Sequence, residues 1–209
     1  SGPVGVKQKL ERFLPIPWIM KKEGNYYFDY EYPDSIGKIK AAYGNVSVIL
    51  KAYIYILLMG GNGLKKASEI AVLNANYMKK KLVDSNLYEL PYRNLRKHEF
   101  VISCERLLSN KGIRALDVGK RLLDYGLHPP TVYFPLIVKE ALMIEPTESE
   151  SKKTLDIYID TLLKIAQEDP TLTKSAPHNT VVRRIDEIGA VKNPIFTWKT
   201  LEKPKELMI

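Results

Sequence analysis

One cysteine, Cys104, serves the whole 209-residue chain. No internal disulfide can form, and so little cysteine suits a reducing compartment, so a cytoplasmic location is expected. Histidine is almost as scarce. His98, His128 and His178 stand far apart, in none of the HExxH or paired-cysteine spacings that build zinc sites, and no metal is expected. There is no GxSxG elbow, no Walker loop and no GxGxxG between a strand and a helix. These absences set aside a serine hydrolase and a self-contained nucleotide-binding fold. The opening SGPVGVKQKLERF has no apolar core of the signal-peptide kind. The most apolar run, residues 46–59, contains Ser47 and Lys51 and falls short of the ~20 residues a bilayer span needs. It reads as a buried helix, and no membrane partner is expected.

What the chain does have is enough apolar residue, 45%, beside 27% charge, to build a folded core. The net charge of +8 is spread out, and only Lys79-Lys80-Lys81 forms a run. That run closes a helical pattern, where cations favour the negative end of the helix dipole. It reads as a solvated face, and no nucleic-acid partner is expected.

Along the chain, residues 1–35 read as a turn, a short amphipathic piece and a strand around Tyr26-Tyr27-Phe28, bounded by Gly24 and Pro33. Residues 36–86 read as a helical hairpin. One helix runs from about 45 to 59, Gly60-Gly61-Asn62-Gly63 breaks it, and a second runs from 64 to 82 with Ala67, Ile70, Ala71, Asn74 and Met78 on one stripe. Residues 87–169 read as strands at 87–90, 98–104, 131–138 and 141–145 and helices at 113–125 and about 155–168, with Gly126 as the left-handed cap of the first. That order predicts an α+β layer, an antiparallel sheet with helices on one face. Residues 170–209 read as an extended tail with one short helix near 181–188.

Few residues invite chemistry. Residues 143–151, MIEPTESES, carry a capping-box pair, Thr147 and Glu150, which explains the acidic cluster as a helix start. Glu145, at a strand end, is left over. His128-Pro129-Pro130-Thr131 leads a strand on a stiff backbone, which suits a positioned side chain and a rigid loop equally. Tyr43-Gly44-Asn45 opens a helix, where Asn45 is a good N-cap and the free N–H groups suit an anion.

Several segments, taken in order, resemble one family. They are SGPVGVKQKLERFLP at 1–15, YGNVSVILKAYIYILLMGGNGLKKASEIAVLNANYMKKKL at 43–82, KHEFVIS at 97–103 and DVGKRLLDYGLHPPTVYFPLI at 117–137. ALMIEPTESESKKTLD at 141–156 and APHN at 176–179 complete the match. The chain is similar to the glycine dehydrogenase (decarboxylating) family, the P-protein of the glycine cleavage system, in its two-subunit form. The resemblance implies the C-terminal part of a type I pyridoxal-phosphate fold of the aminotransferase kind. It also implies an oxidoreductase that decarboxylates glycine and passes the aminomethyl group to the lipoyl arm of the carrier H-protein, with subunit 1 as partner. In the family, the lysine holding the cofactor lies in an Asn-Leu-His-Lys segment that precedes the glycine-rich stretch ending in GPVGV. That lysine is therefore expected upstream of Ser1, residues 1–35 are expected to be the tail of the cofactor domain, and the chain alone is expected to be inactive. By the same resemblance Gly44, Asn45 and Ser47 are candidates for the cofactor phosphate. His98, His128, Thr131 and Glu145 are candidates for a substrate cleft, and His178 for a tail that covers it. The alternatives are another type I pyridoxal enzyme, such as a cysteine desulfurase or amino-acid decarboxylase, and a basic nucleic-acid-binding module.

Overall fold

A computed structural model of the chain describes residues 4–39, 44–92 and 94–198. It divides into two compact units, Ser1–Lys65 and Lys66–Ile209. In the first, β1 (Trp18–Lys22) and β2 (Asn25–Asp29) pair antiparallel with Trp18 opposite Asp29. Glu23 and Gly24 both take positive φ, the backbone a two-residue hairpin turn requires. Only β2 is legible beforehand. β1 is hidden by the lysines and prolines around it.

The long helix α1 (Val46–Asp84) is broken at a single residue. The loop expected across residues 60–63 reduces to Gly60, whose φ of 59° and ψ of 178° leave the helical region, and the helix resumes at Gly61. A residue with no Cβ makes that turn at little cost. The burial expected for residues 46–59 is not found among the described residues, since Leu57 and Leu58 are 63% and 81% exposed. A helix that is apolar all round needs cover on every side, and the described residues supply none. By length and composition alone α1 would also pass as a membrane span. Yet Gly60 interrupts the unbroken run of about 20 residues that a span needs.

In the second unit, β3 (Phe100–Ser103), β5 (Ala141–Ile144) and β4 (Thr131–Val132) form an antiparallel sheet in the order β3-β5-β4. Helices α2 (Glu105–Lys111), α3 (Ala115–Asp124), α4 (Lys152–Gln167), α5 (Pro170–Ser175) and α6 (Glu187–Lys192) complete it. Met78 and Leu82 of α1, Phe100 and Ile102 of β3, Leu122 of α3 and Leu162 and Ile165 of α4 meet in one core. The α+β expectation is met. Residues 87–90 contribute only a bridge, Glu89 to Ser103, and β4 stops after two residues because Tyr133 turns to φ 60°. Gly119 lets α3 approach β4 closely, for a Cβ there would lie 3.3 Å from Val132 Cγ2.

The start of α4 differs from the expected capping box. Ser151, not Thr147, is the N-cap, accepting the Thr154 N–H at 3.1 Å. Thr147 instead meets the Ser149 hydroxyl at 2.7 Å, and its carbonyl accepts the Glu150 N–H. Both hydroxyl residues are competent caps. The turn that closes residues 147–150 leaves the later one to start the helix. Pro170 likewise opens α5 rather than an extended tail, with Asp169 as N-cap.

The segment after α5 is tied down by buried charge. The Asp124 side chain is 1% exposed and accepts from the backbone N–H groups of His178 and Asn179, from the His178 ring and from Arg121. Arg121 also grips Glu168 through two hydrogen bonds, and Tyr125 donates to the same carboxylate. Burial pushes both carboxyls up. The N–H groups of Asn179 and His178 with Arg121 outweigh it at Asp124, and Arg121 with Tyr125 outweighs it at Glu168, so both lie below their ordinary values. A lowered folded value means stability that is present at neutral pH and lost as pH falls through that value. Amide protection at His178 and Asn179 should therefore persist from pH 7 to about 4 and collapse below it. Asp124→Ala should abolish that protection at pH 7 and cost about 3 kcal/mol in denaturant unfolding. Ser151→Ala should cost about 1 kcal/mol and Thr147→Ala much less, where a cap at Thr147 would reverse the order.

Candidate functional site at one end of the sheet

The sheet register decides which residues meet. Phe100 pairs with Ile144 and Thr131 with Met143, so the start of β3, the end of β5 and the start of β4 lie at one end of the sheet. The residues just outside those strands are His98 and Glu99, Glu145, and His128-Pro129-Pro130. His98 Nε2 lies 3.6 Å from Glu145 Oε1 and 4.0 Å from Glu99 Oε2. All three side chains are about half exposed. A contact this open, even between full charges, is worth under about 1 kcal/mol, too little to hold its own geometry. The backbone must do that.

Beside the cluster lies a cavity of about 330 Å³, walled by Met78, Ile144, Leu155 and Pro146 and rimmed by His128 and Glu145. That is at the small end of the ligand-pocket range. Tyr158 also lines it, and its hydroxyl donates to the His128 carbonyl at 3.1 Å. Burial raises the Tyr158 phenol well above its usual range, so it stays a donor. An apolar slot bordered by an imidazole and carboxylates can hold a small ligand and offer it a proton donor or acceptor.

The structure thus brings His98, His128 and Glu145 to one place. Thr131, the first residue of β4, is exposed at the same sheet end and outside the cavity wall. His178 is not brought there. Its ring is engaged by Asp124, Arg121 and the Ser175 hydroxyl. Gly44, Asn45 and Ser47 belong to the first unit, and Tyr43 lies outside the described residues. Asn45 Oδ1 accepts the Ser47 hydroxyl at 3.0 Å and the Val48 N–H at 3.3 Å, an N-cap arrangement. An anion at this helix start would compete with that cap for the same donors. Gly44, at φ 99°, has a backbone that other residues rarely take.

Sequence reasoning missed one grouping here. The side chains of His98, Glu99 and Glu145 form a group whose ligand atoms lie within 4.8 Å of one another, a donor set of the kind that suits a divalent cation. Glu99 and Glu145 are far apart in the chain, so only the β3–β5 pairing reveals it. Cys104 is fully buried, and burial pushes its thiol up.

Residues 67–184 match the family model described as glycine dehydrogenase, C-terminal domain. The matched segment contains His98, His128, Thr131, Glu145 and His178. Over 211 residues the chain is 54% identical to the probable glycine dehydrogenase (decarboxylating) subunit 2 of Pyrococcus horikoshii, covering 99% of this chain and 42% of that protein. It is 56% identical over 202 residues to the protein of that name in Caldanaerobacter subterraneus, covering 95% of this chain and 41% of the relative. The chain therefore spans less than half the length of the curated relatives it matches. A solved glycine decarboxylase (P-protein) of the glycine cleavage system, in inhibitor-bound form, superposes with a TM-score of 0.59 at 15% identity, over 75% of this chain and 37% of that one. That likeness concerns the fold. By the family match and the identity to its relatives, the chain belongs to the glycine dehydrogenase family, with residues 67–184 as the C-terminal domain.

Proposed function

We infer that this chain forms part of a glycine-decarboxylating enzyme, in which the sheet end carrying His98, Glu145 and His128 faces the substrate cleft. The observation that carries this reading is the convergence of those three residues beside a cavity within the segment that matches the family. Two carboxylates flanking an imidazole favour a cationic amine. Pyridoxal phosphate, when bound, would supply the electron sink for the carbanion left by departing carbon dioxide. The backbone N–H groups and the Ser47 hydroxyl at the start of α1 are donors of the right kind for one edge of its phosphate. The work of this chain is then to shape the cleft and orient glycine, with subunit 1 and the lipoyl carrier H-protein as partners in the cytoplasm.

The test is glycine–bicarbonate exchange by the intact subunit pair with pyridoxal phosphate and a lipoyl carrier. Exchange is expected for the wild type, and at least a tenfold loss for His98→Ala, on the scale of lost general acid–base help. The Asp124 network should matter for tail stability and little for exchange, so His178→Gln should stay within about threefold of wild type, well short of the loss expected at a proton-transfer residue. Turnover of a different amino acid with no exchange of glycine would overturn the reading.

A further inference from the structure

Two asparagines in the LNANYM segment of α1 reach the backbone on either side of the His98–Glu145 pair. The Asn76 amide donates to the Arg96 carbonyl at 2.7 Å, and its oxygen accepts the Arg96 N–H at 3.0 Å, so one side chain holds both backbone polar groups of one residue. One turn on, Lys79 Nζ donates to the Asn94 carbonyl at 2.8 Å. Asn74, 8% exposed, donates to the Thr147 carbonyl at 2.9 Å. Arg96 lies two residues before His98, and Thr147 two residues after Glu145. The strand ladder ends at Phe100 and Ile144. Each side chain therefore projects from a short irregular segment pinned by the sheet on one side and by an asparagine on the other.

We propose that Asn76 and Asn74 are positioning residues that set the separation of His98 and Glu145 by clamping the main chain beyond each. The surface ion pair is too weak to set that distance itself. Two hydrogen bonds made by Asn76 and one made by Asn74 hold the two segments instead. The consequence for catalysis rests on the functional reading above. The clamp itself does not.

The full chain supplies the first test. In the wild type, Glu145→Gln should shift the ring resonances of His98, because the two groups are neighbours. In an Asn76→Ala background that response should be lost while the thermal midpoint of the fold stays close to wild type. Asn76→Asp keeps the acceptor for the Arg96 N–H but, ionised, cannot donate to the carbonyl, so it should weaken the response in part should the alanine variant unfold. An undiminished response in both variants overturns the clamp. In the intact enzyme, Asn76→Ala should lower kcat/KM for glycine about tenfold or more. It should add nothing to His98→Ala, because a residue acting through another is not additive with it. Additive losses mean a general structural role and overturn the assignment. If His98→Ala is itself harmless, the functional reading of the sheet end fails, while the ring resonances still decide the clamp.

Discussion

Phe100 lies opposite Ile144 and Ser103 opposite Ala141, and this register of β3 on β5 is the constraint on which the site depends. A slip of one residue would turn Phe100 and Ile102 out of the core and move every neighbouring side chain to the other face. With the register held, residues from three separated stretches of chain meet at one sheet end. The core makes the slip costly. Phe100, Ile102, Leu122, Leu142, Leu162 and Ile165 are all essentially inaccessible, and exposing even one such side chain costs roughly 1.5–3 kcal/mol. Against that, the contribution of the His98–Glu145 pair is minor. Geometry is imposed on the cluster by the sheet rather than created by it.

Much of this fold was readable in the residues. The apolar repeat of Leu155, Ile159, Leu162 and Ile165 predicts α4, and all four are buried. Gly126 reads as a left-handed cap and takes φ 71°. The alternation of Phe100 and Ile102 predicts β3. The failures share a cause, which is choices decided outside the local pattern. Val132 continues as readable strand, but Tyr133 adopts positive φ and ends β4. Thr147 and Ser151 are chemically equivalent caps, and only the turn at 147–150 selects between them. Short α2 spans seven residues and shows too few turns for a period. The apolar run at 46–59 reads as core by composition, yet its burial depends on surfaces that the described residues do not provide.

The candidate site was partly readable in the same sense. His98, His128 and Glu145 stand at predicted strand ends and match family segments, but nothing in their spacing says that they meet. His178 shows the limit of motif matching. It matches a family segment, and the structure spends its imidazole on the Asp124–Arg121 network that anchors the tail. Asn74 was read as one position of a buried helical stripe and is buried, yet its amide, like that of Asn76, is spent on loop backbone rather than on the core. The stretch MIEPTESES divides along the same line. Its Ser151 starts a helix, its Glu145 faces the cluster, and its Thr147 carbonyl receives the asparagine.

Hydrogen–deuterium exchange of the intact subunit pair, with and without glycine, decides whether the end of the β3-β5-β4 sheet faces the substrate. Ligand-dependent protection is expected in residues 97–99, 128–131 and 145–147, with residues 176–179 unchanged. Protection confined to residues 176–179, with the sheet end unaffected, would contradict it.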